Sequence, residues 1–177
     1  MTRLFLIGYM GCGKTTLGKA YARDKGLAFV DLDWYIEERY HKTIKQLFAE
    51  YGEEGFRRVE QKILVEVSEF ENVVIACGGG TPCFFDNMEL MNRKGKTIFL
   101  NASREALFRR LKVAKANRPL LADKTDEELM QVIDDGLSER LKYYSKAEYT
   151  IGADRLESWS QINSTIAELD QILNLNK

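Results

Sequence analysis

Leu4-Phe5-Leu6-Ile7 runs directly into Gly8-Tyr9-Met10-Gly11-Cys12-Gly13-Lys14-Thr15, and this junction decides the fold. The second segment fits G-x-x-x-x-G-K-[ST]. Its placement carries more weight than the pattern, because a strand feeding a glycine-rich turn that opens a helix is the setting of a phosphate-binding loop. Glycines let successive backbone N–H groups converge on phosphate oxygens where side chains would obstruct them. Lys14 can reach the β- and γ-phosphates, and the Thr15 hydroxyl can ligate Mg²⁺. A chance glycine-rich turn has no reason to hold strand, turn and helix in register. The chain is therefore expected to bind a nucleoside triphosphate and Mg²⁺, with Gly11, Cys12, Gly13, Lys14, Thr15 and Thr16 around the phosphates.

Outward from the loop, strands and helices alternate. The first strand covers about 3–7, and the loop's helix runs to Lys25, where Gly26 ends it as a C′ glycine. Leu27-Ala28-Phe29-Val30 is a second short strand. Tyr35 to Tyr40 reads as helix, followed by a helix over Thr43–Tyr51 and a longer one from Glu53 to Phe70. In the longer helix Phe56, Val59, Ile63, Val67 and Phe70 recur at three- and four-residue steps. Val73 to Cys77 is a buried strand ending in Gly78-Gly79-Gly80. Thr97-Ile98-Phe99-Leu100 is another, with Ser103 as N-cap of the next helix. Residues 112–123 are basic and irregular. Thr125-Asp126-Glu127-Glu128 forms a capping box for a helix to about Lys146. Tyr149-Thr150-Ile151 closes the strand set, and Trp159 to Leu173 is an amphipathic helix. This alternation predicts an α/β fold with a parallel sheet covered on both faces. Ligands then bind outside the carboxyl ends of the strands.

Composition narrows the function. The 177 residues suit one domain, and 26 basic against 27 acidic residues leave a net charge of −1. No global field draws such a chain to nucleic acid or membrane. No apolar run reaches the roughly 18 residues that span a bilayer. With the first strand starting almost at Met1, no leader is expected and the location is read as cytoplasmic. Cys12, Cys77 and Cys83 lack paired metal spacing and read as reduced thiols. Cys12 is either a small residue filling the turn or a thiol open to oxidants. His41 is the single histidine, which excludes a multi-histidine zinc site and argues strongly against a Ser-His-Asp triad.

Three polar clusters fall at strand ends: the loop, Asp31-Leu32-Asp33 and Gly78-Gly79-Gly80. Strand alternation puts both aspartates on one side. One can hold Mg²⁺, directly or through water, and the other can accept a hydroxyl proton or bond a diol. Taken without the loop, the pair is a solvated turn with Asp33 as N-cap of the next helix. Three adjacent glycines are entropically costly and imply either close backbone approach to a ligand or an exit turn. Arg57 and Glu60, three apart on a helix, are neighbours. They form either a surface ion pair worth little or a guanidinium held by Glu60 and aimed at an anionic substrate, with Arg58 as competitor. Arg109, Arg110, Lys112, Lys115 and Arg118 make a solvated loop or, in a phosphotransferase, a closing lid that excludes water. Arg140 offers a second guanidinium, whereas Tyr143 and Tyr144 read as core and rim.

Together these pieces resemble one family. Along most of its length the chain is similar to the shikimate kinases, members of the nucleoside monophosphate kinase structural group. The matching features are Gly8–Thr15, Asp31-Leu32-Asp33, Gly52-Glu53 followed by Phe56-Arg57-Arg58-Val59-Glu60, Gly78–Gly80, Arg118-Pro119-Leu120-Leu121, and Arg140 with a nearby tyrosine. Many unrelated NTPases share the loop. The aspartate pair, the Phe-Arg-x-x-Glu block and the triple glycine are specific, because each belongs to the substrate side.

The resemblance implies a three-layer α/β/α P-loop kinase fold with about five parallel strands, one domain over 1–177 and a lid over about 112–123. It implies ATP-dependent phosphorylation of the shikimate 3-hydroxyl, a step toward chorismate and the aromatic amino acids. By position, Asp33 would bind the shikimate hydroxyls and act as base, and Asp31 would join Thr15 in the Mg²⁺ shell. Arg57 and Arg140 would clamp the carboxylate, and Gly78, Gly79 and Gly80 would line the ring. Arg118 would come from the lid to help Lys14 spread charge on the phosphates, while Arg110 would stack near the adenine. Shikimate and ATP would be the partners, and a monomer is the default state. The rivals are another small-molecule kinase on this fold and a GTP-switch module. The switch lacks support, since neither Asn-Lys-x-Asp nor Asp-x-x-Gly occurs in the chain.

Overall fold

The computed structural model describes residues 1–115 and 121–174 of the chain. Arg118 and its neighbours Pro119 and Leu120, expected on the lid, lie outside the described residues. Five strands form one parallel sheet: β1 (Arg3–Ile7), β2 (Ala28–Asp31), β3 (Val73–Ala76), β4 (Lys96–Asn101) and β5 (Tyr149–Gly152), in spatial order β2-β3-β1-β4-β5. Phe5 of β1 stands between Ile75 of β3 and Thr97 of β4. Every residue of β1 and β3 is buried, so alternation within these strands leaves no wet face. The apolar runs Leu4–Ile7 and Val73–Ala76 are what a doubly covered parallel strand requires. The expected three-layer α/β/α arrangement is the one observed.

The helices are α1 (Lys14–Lys25), α2 (Leu32–Tyr40), α3 (Ile44–Val67), α4 (Asn87–Lys94), α5 (Arg104–Ala114), α6 (Asp126–Tyr144) and α7 (Trp159–Asn174). Gly26 ends α1 in the left-handed region, its N–H reaching the Ala22 carbonyl. Ser103 caps α5, and the Thr125/Glu128 capping box starts α6 as its sequence predicts. A second box, Thr43 with Gln46, starts α3. The separate helices expected on either side of Gly52 are the two arms of α3, parted at that glycine, where φ 69° and ψ 179° interrupt the helical backbone. Across the break the Phe48 and Phe56 rings stack with centroids 4.3 Å apart.

Several boundaries differ from the sequence reading. The second helix begins at Leu32, three residues before Tyr35, because the Asp31 side chain caps it by accepting from Trp34 N. Asp33 therefore sits in the first helical turn and is not the cap, and the strand alternation invoked for the aspartate pair does not apply. The last strand residue and the first turn of the following helix bring them together instead. Helix α4 has no counterpart in the sequence reading: its Met88, Leu90 and Met91 bury a face too short to show periodicity. The basic stretch expected to be irregular from 112 is helical through Ala114, since α5 continues into it. Helix α6 stops at Tyr144 rather than Lys146.

Candidate active site

The phosphate loop joins β1 to α1. Gly8, Gly11 and Gly13 have φ of 148°, 80° and 102°, values that L side chains rarely adopt. A Cβ on Gly13 would also strike Leu156 at 2.5 Å. Lys14 Nζ donates to the Gly8 and Tyr9 carbonyls at 2.8 and 3.0 Å, bracing the loop from within. Cys12 is fully buried in the turn, in keeping with a space-filling role. A cleft of about 590 Å³ opens over this loop, running from Arg110 and Glu157 at one rim to Asp31, Asp33 and Gly78 at the other.

At the second rim the Thr15 hydroxyl donates to Asp31 Oδ2 at 2.9 Å. Asp33 is half-buried beside it. Burial, then the charges of Glu60 and Asp31, push its carboxyl up to about 6, against the opposing pull of Lys14 and Arg57. A carboxyl with that value is poised to accept a proton near neutrality.

The three glycines after β3 are explained by what stands over them. A Cβ on Gly78 would lie 3.0 Å from Asp33 Oδ1 and 3.3 Å from Glu60 Oε2. One on Gly79 would lie 3.1 Å from Arg140 Nη1, and one on Gly80 would lie 2.6 Å from Arg57 Nη2. None of the three has a positive φ, so room for neighbours, and not backbone freedom, is what demands glycine here. The substrate-side residues singled out in the sequence thus converge on one floor, which also touches the phosphate loop at Met10 N.

Arg57 is held on several sides. Glu60 Oε1 accepts from its Nη1 at 2.9 Å, and Glu60 is itself only 1% exposed. The surface-pair alternative therefore fails. The Phe84, Phe56 and Phe48 rings lie 4.2, 5.3 and 5.7 Å from the guanidinium carbon. Its Nε is buried without a hydrogen-bond partner among the described residues. The competitor, Arg58, pairs with Glu54 at an exposed position, 67% open to solvent. Arg140 packs over the Tyr9 ring at 5.3 Å.

At the opposite rim Arg110 Nη2 donates to the Ala153 carbonyl at 2.7 Å, and Nη1 lies 3.4 and 3.3 Å from the Gly11 and Cys12 carbonyls. Glu157 gathers both Arg109 and Arg110. Partial burial pushes the Glu157 carboxyl up, but the two guanidiniums prevail and hold it below its ordinary range. Arg110 therefore lines the cleft beside the loop.

Tyr9, Thr81, Tyr144 and Glu157 were not found from the sequence as site residues. Their partners are remote in the chain, so no local pattern marks them. Tyr144, read as core and rim, is fully buried, yet its hydroxyl donates to the Gly79 carbonyl. One signal for Tyr9 was present: Gly136 lies inside α6, where glycine costs about 1 kcal/mol against alanine. A Cβ there would lie 2.5 Å from Tyr9 Oη.

The donor set near the loop suits Mg²⁺. Thr15 and Asp31 offer hard oxygens side by side. Among the described residues no group of three or more His, Cys, Asp or Glu side chains makes a protein cage. Mg²⁺ is commonly held by one or two protein oxygens together with substrate phosphates and water. In sum, the site can cradle a triphosphate over the loop, take a proton from a hydroxyl at Asp33, and bind an anion at Arg57 and Arg140 beside the glycine floor. No helix of the described residues is long and apolar enough to cross a membrane.

Comparison with known proteins agrees with this chemistry. The sequence profile of a family described as shikimate kinase matches residues 10–170. A shikimate kinase of Phocaeicola vulgatus is 60% identical over 174 residues, covering 98% of this chain and 99% of that protein. The solved shikimate kinase from Bacteroides thetaiotaomicron superposes with a TM-score of 0.95 at 57% identity, covering 98% of each chain. The shikimate kinase from Acinetobacter baumannii, solved in complex with shikimate, has a TM-score of 0.85 at 32% identity, covering 100% of this chain and 95% of that one.

Proposed function

The chain belongs to the shikimate kinase family, and from that premise we propose that it transfers the γ-phosphoryl group of ATP to the 3-hydroxyl of shikimate, giving 3-phosphoshikimate and ADP. One observation carries the assignment of roles: Asp33, Arg140 and Arg57 each fill the space above one glycine of Gly78-Gly79-Gly80. A carboxylated polyol needs this set, a base beside the hydroxyls and two guanidiniums for the carboxylate.

In the proposed mechanism the 8–16 loop and Lys14 hold the triphosphate, with Thr16 following Thr15 at the start of α1. Arg57 and Arg140 fix the shikimate carboxylate and so set the distance from the 3-hydroxyl to the γ-phosphorus. Holding the reactants in line supplies most of the rate. The glycine floor lets the ring approach closely. Asp33 takes the hydroxyl proton as the O–P bond forms and the bond to ADP breaks. That transfer comes late, because a loose transition state asks little of the nucleophile. Thr15 and Asp31 would hold Mg²⁺, which supplies charge neutralisation at the phosphates. Arg110 would support the adenine, and Arg118 would reach the phosphates from the lid. The domain acts as one unit over 1–177, as a monomer in the cytoplasm, without nucleic-acid or membrane partners. The near-zero net charge supports this last reading.

The test is ADP release from ATP and Mg²⁺ with and without shikimate, with gluconate and nucleoside monophosphates as comparison acceptors. Strong stimulation by shikimate alone is expected. A flat response with ATP still bound would leave the nucleotide half standing and remove the acceptor.

A further inference from the structure

We propose that Thr81 is a positioning residue for Arg57, acting through Glu60. The inference rests on the proposed function in one respect, that Arg57 contacts the acceptor's carboxylate. The two oxygens of Glu60 are separately assigned: Oε1 accepts from Arg57 Nη1 at 2.9 Å and Oε2 from the Thr81 hydroxyl at 2.8 Å. Thr81 is fully buried and Glu60 nearly so, and neither lines the nucleotide cleft. The Thr81 backbone is fixed from both ends. Its N–H donates to the Gly78 carbonyl at 3.1 Å, and its own carbonyl accepts from Asn87 Nδ2 at 2.9 Å. Asn87 is buried at the start of α4, so a helix that touches no ligand anchors the turn carrying the hydroxyl.

A buried hydroxyl on a fixed backbone serves to satisfy the acceptor it faces. Here that acceptor is a carboxylate, and the bond is charge-assisted. Without the hydroxyl, Oε2 is left buried with that bond unmade. The Arg57 fork already binds Oε1, and a guanidinium fork readily engages both oxygens of a carboxylate. That rotation would re-aim a guanidinium that stands 2.6 Å from the Cβ position of Gly80. Thr81 thus fixes the angle at which Arg57 meets the acceptor while touching no substrate itself.

Thr81→Val keeps the branched shape and removes the hydroxyl, and Thr81→Ser keeps the hydroxyl and removes the methyl. For Thr81→Val the KM for shikimate is expected to rise about ten-fold and kcat to fall with it, while the KM for ATP stays within about two-fold of the unsubstituted protein. Thr81→Ser should restore the shikimate KM to within about two-fold. An unchanged shikimate KM in Thr81→Val overturns the inference. So does an equal loss on both substrates, or a Thr81→Ser variant as impaired as Thr81→Val, which would make the methyl the important group. If thermal melting shows that the valine variant does not fold, the comparison passes to Ser against Ala, where only Ala should lose shikimate affinity. A responsive unsubstituted protein with an indifferent Thr81→Val removes this inference alone. An unsubstituted protein that ignores shikimate removes the proposed function and this inference with it.

Discussion

The Tyr144 hydroxyl donates to the Gly79 carbonyl across 2.6 Å, tying the end of α6 to the glycine floor. The ring is fully buried against Phe99, centroids 5.2 Å apart, and burial raises the hydroxyl's pKa, so the phenol stays a donor at any working pH. Tyr144→Phe keeps the packing and strands the Gly79 carbonyl. A stability loss of about 1–2 kcal/mol is expected in denaturant melts, with a few-fold rise in the KM for shikimate. A variant as stable as the original would mean that another donor already serves Gly79.

The space above the floor predicts the outcome of adding one carbon. Gly80→Ala places a Cβ 2.6 Å from Arg57 Nη2, so the guanidinium must move. The KM for shikimate should rise at least about ten-fold while the KM for ATP holds. Gly152→Ala is the control, because nothing lies within 4 Å of its Cβ position. Steady-state kinetics on the pair checks this, and similar behaviour of the two would contradict a steric floor.

Asp33 couples turnover to stability. Asp33→Asn should lower kcat by roughly 10²–10⁴ with the fold intact. In the ligand-free and magnesium-free protein the sign for stability is opposite. Because the folded-state value is raised from 3.8 to about 6, the folded protein binds this proton more tightly than the unfolded chain. The contribution is complete below 3.8 and is lost as pH rises through 6. At pH 7.5 the asparagine variant should therefore be more stable by about 1–3 kcal/mol, the gain shrinking to nothing near pH 4. Denaturant melts across that range decide it, and a constant difference would dissociate Asp33 from the effect.

At the nucleotide rim two substitutions should differ in size. Glu157 is 44% exposed, so its pairing with Arg110 is worth about 0–1 kcal/mol and Glu157→Gln should raise the KM for ATP no more than about five-fold. Arg110 also bonds the Ala153 carbonyl and approaches those of Gly11 and Cys12. Arg110→Ala should therefore cost more than about ten-fold in the KM for ATP and leave shikimate nearly untouched. The reverse order would place the base elsewhere.

The legible parts of this protein were those written in consecutive residues. The loop, the buried strands β1 and β3, the Thr125 capping box and the Gly26 stop all depend on neighbours in the chain. Asp33, Arg57 and Arg140 were legible as candidates, and the structure brings them to one floor. Hidden were the features set by tertiary approach. The three glycines read as a turn or a ligand contact, and the side chains over them come from α2, α3 and α6. Asp31 and Asp33 looked like strand alternation because a strand passing straight into a helix leaves no boundary residue to read. The strand order, with β3 between β2 and β1, follows from packing over the whole sheet.

Gly52 turns an ordinary assumption about surfaces around. It is exposed and has no atom within 4 Å of its missing Cβ, so by crowding alone any residue fits. Its φ of 69° with ψ of 179° is nonetheless a conformation that is essentially reserved for glycine. The bend it allows brings the Phe48 ring onto Phe56, and both rings flank Arg57. A solvent-facing position with open space around its missing Cβ thus shapes the aromatic surroundings of Arg57. Anyone redesigning this surface, for solubility or for attaching a label, would do better to spare Gly52 than many residues of the interior.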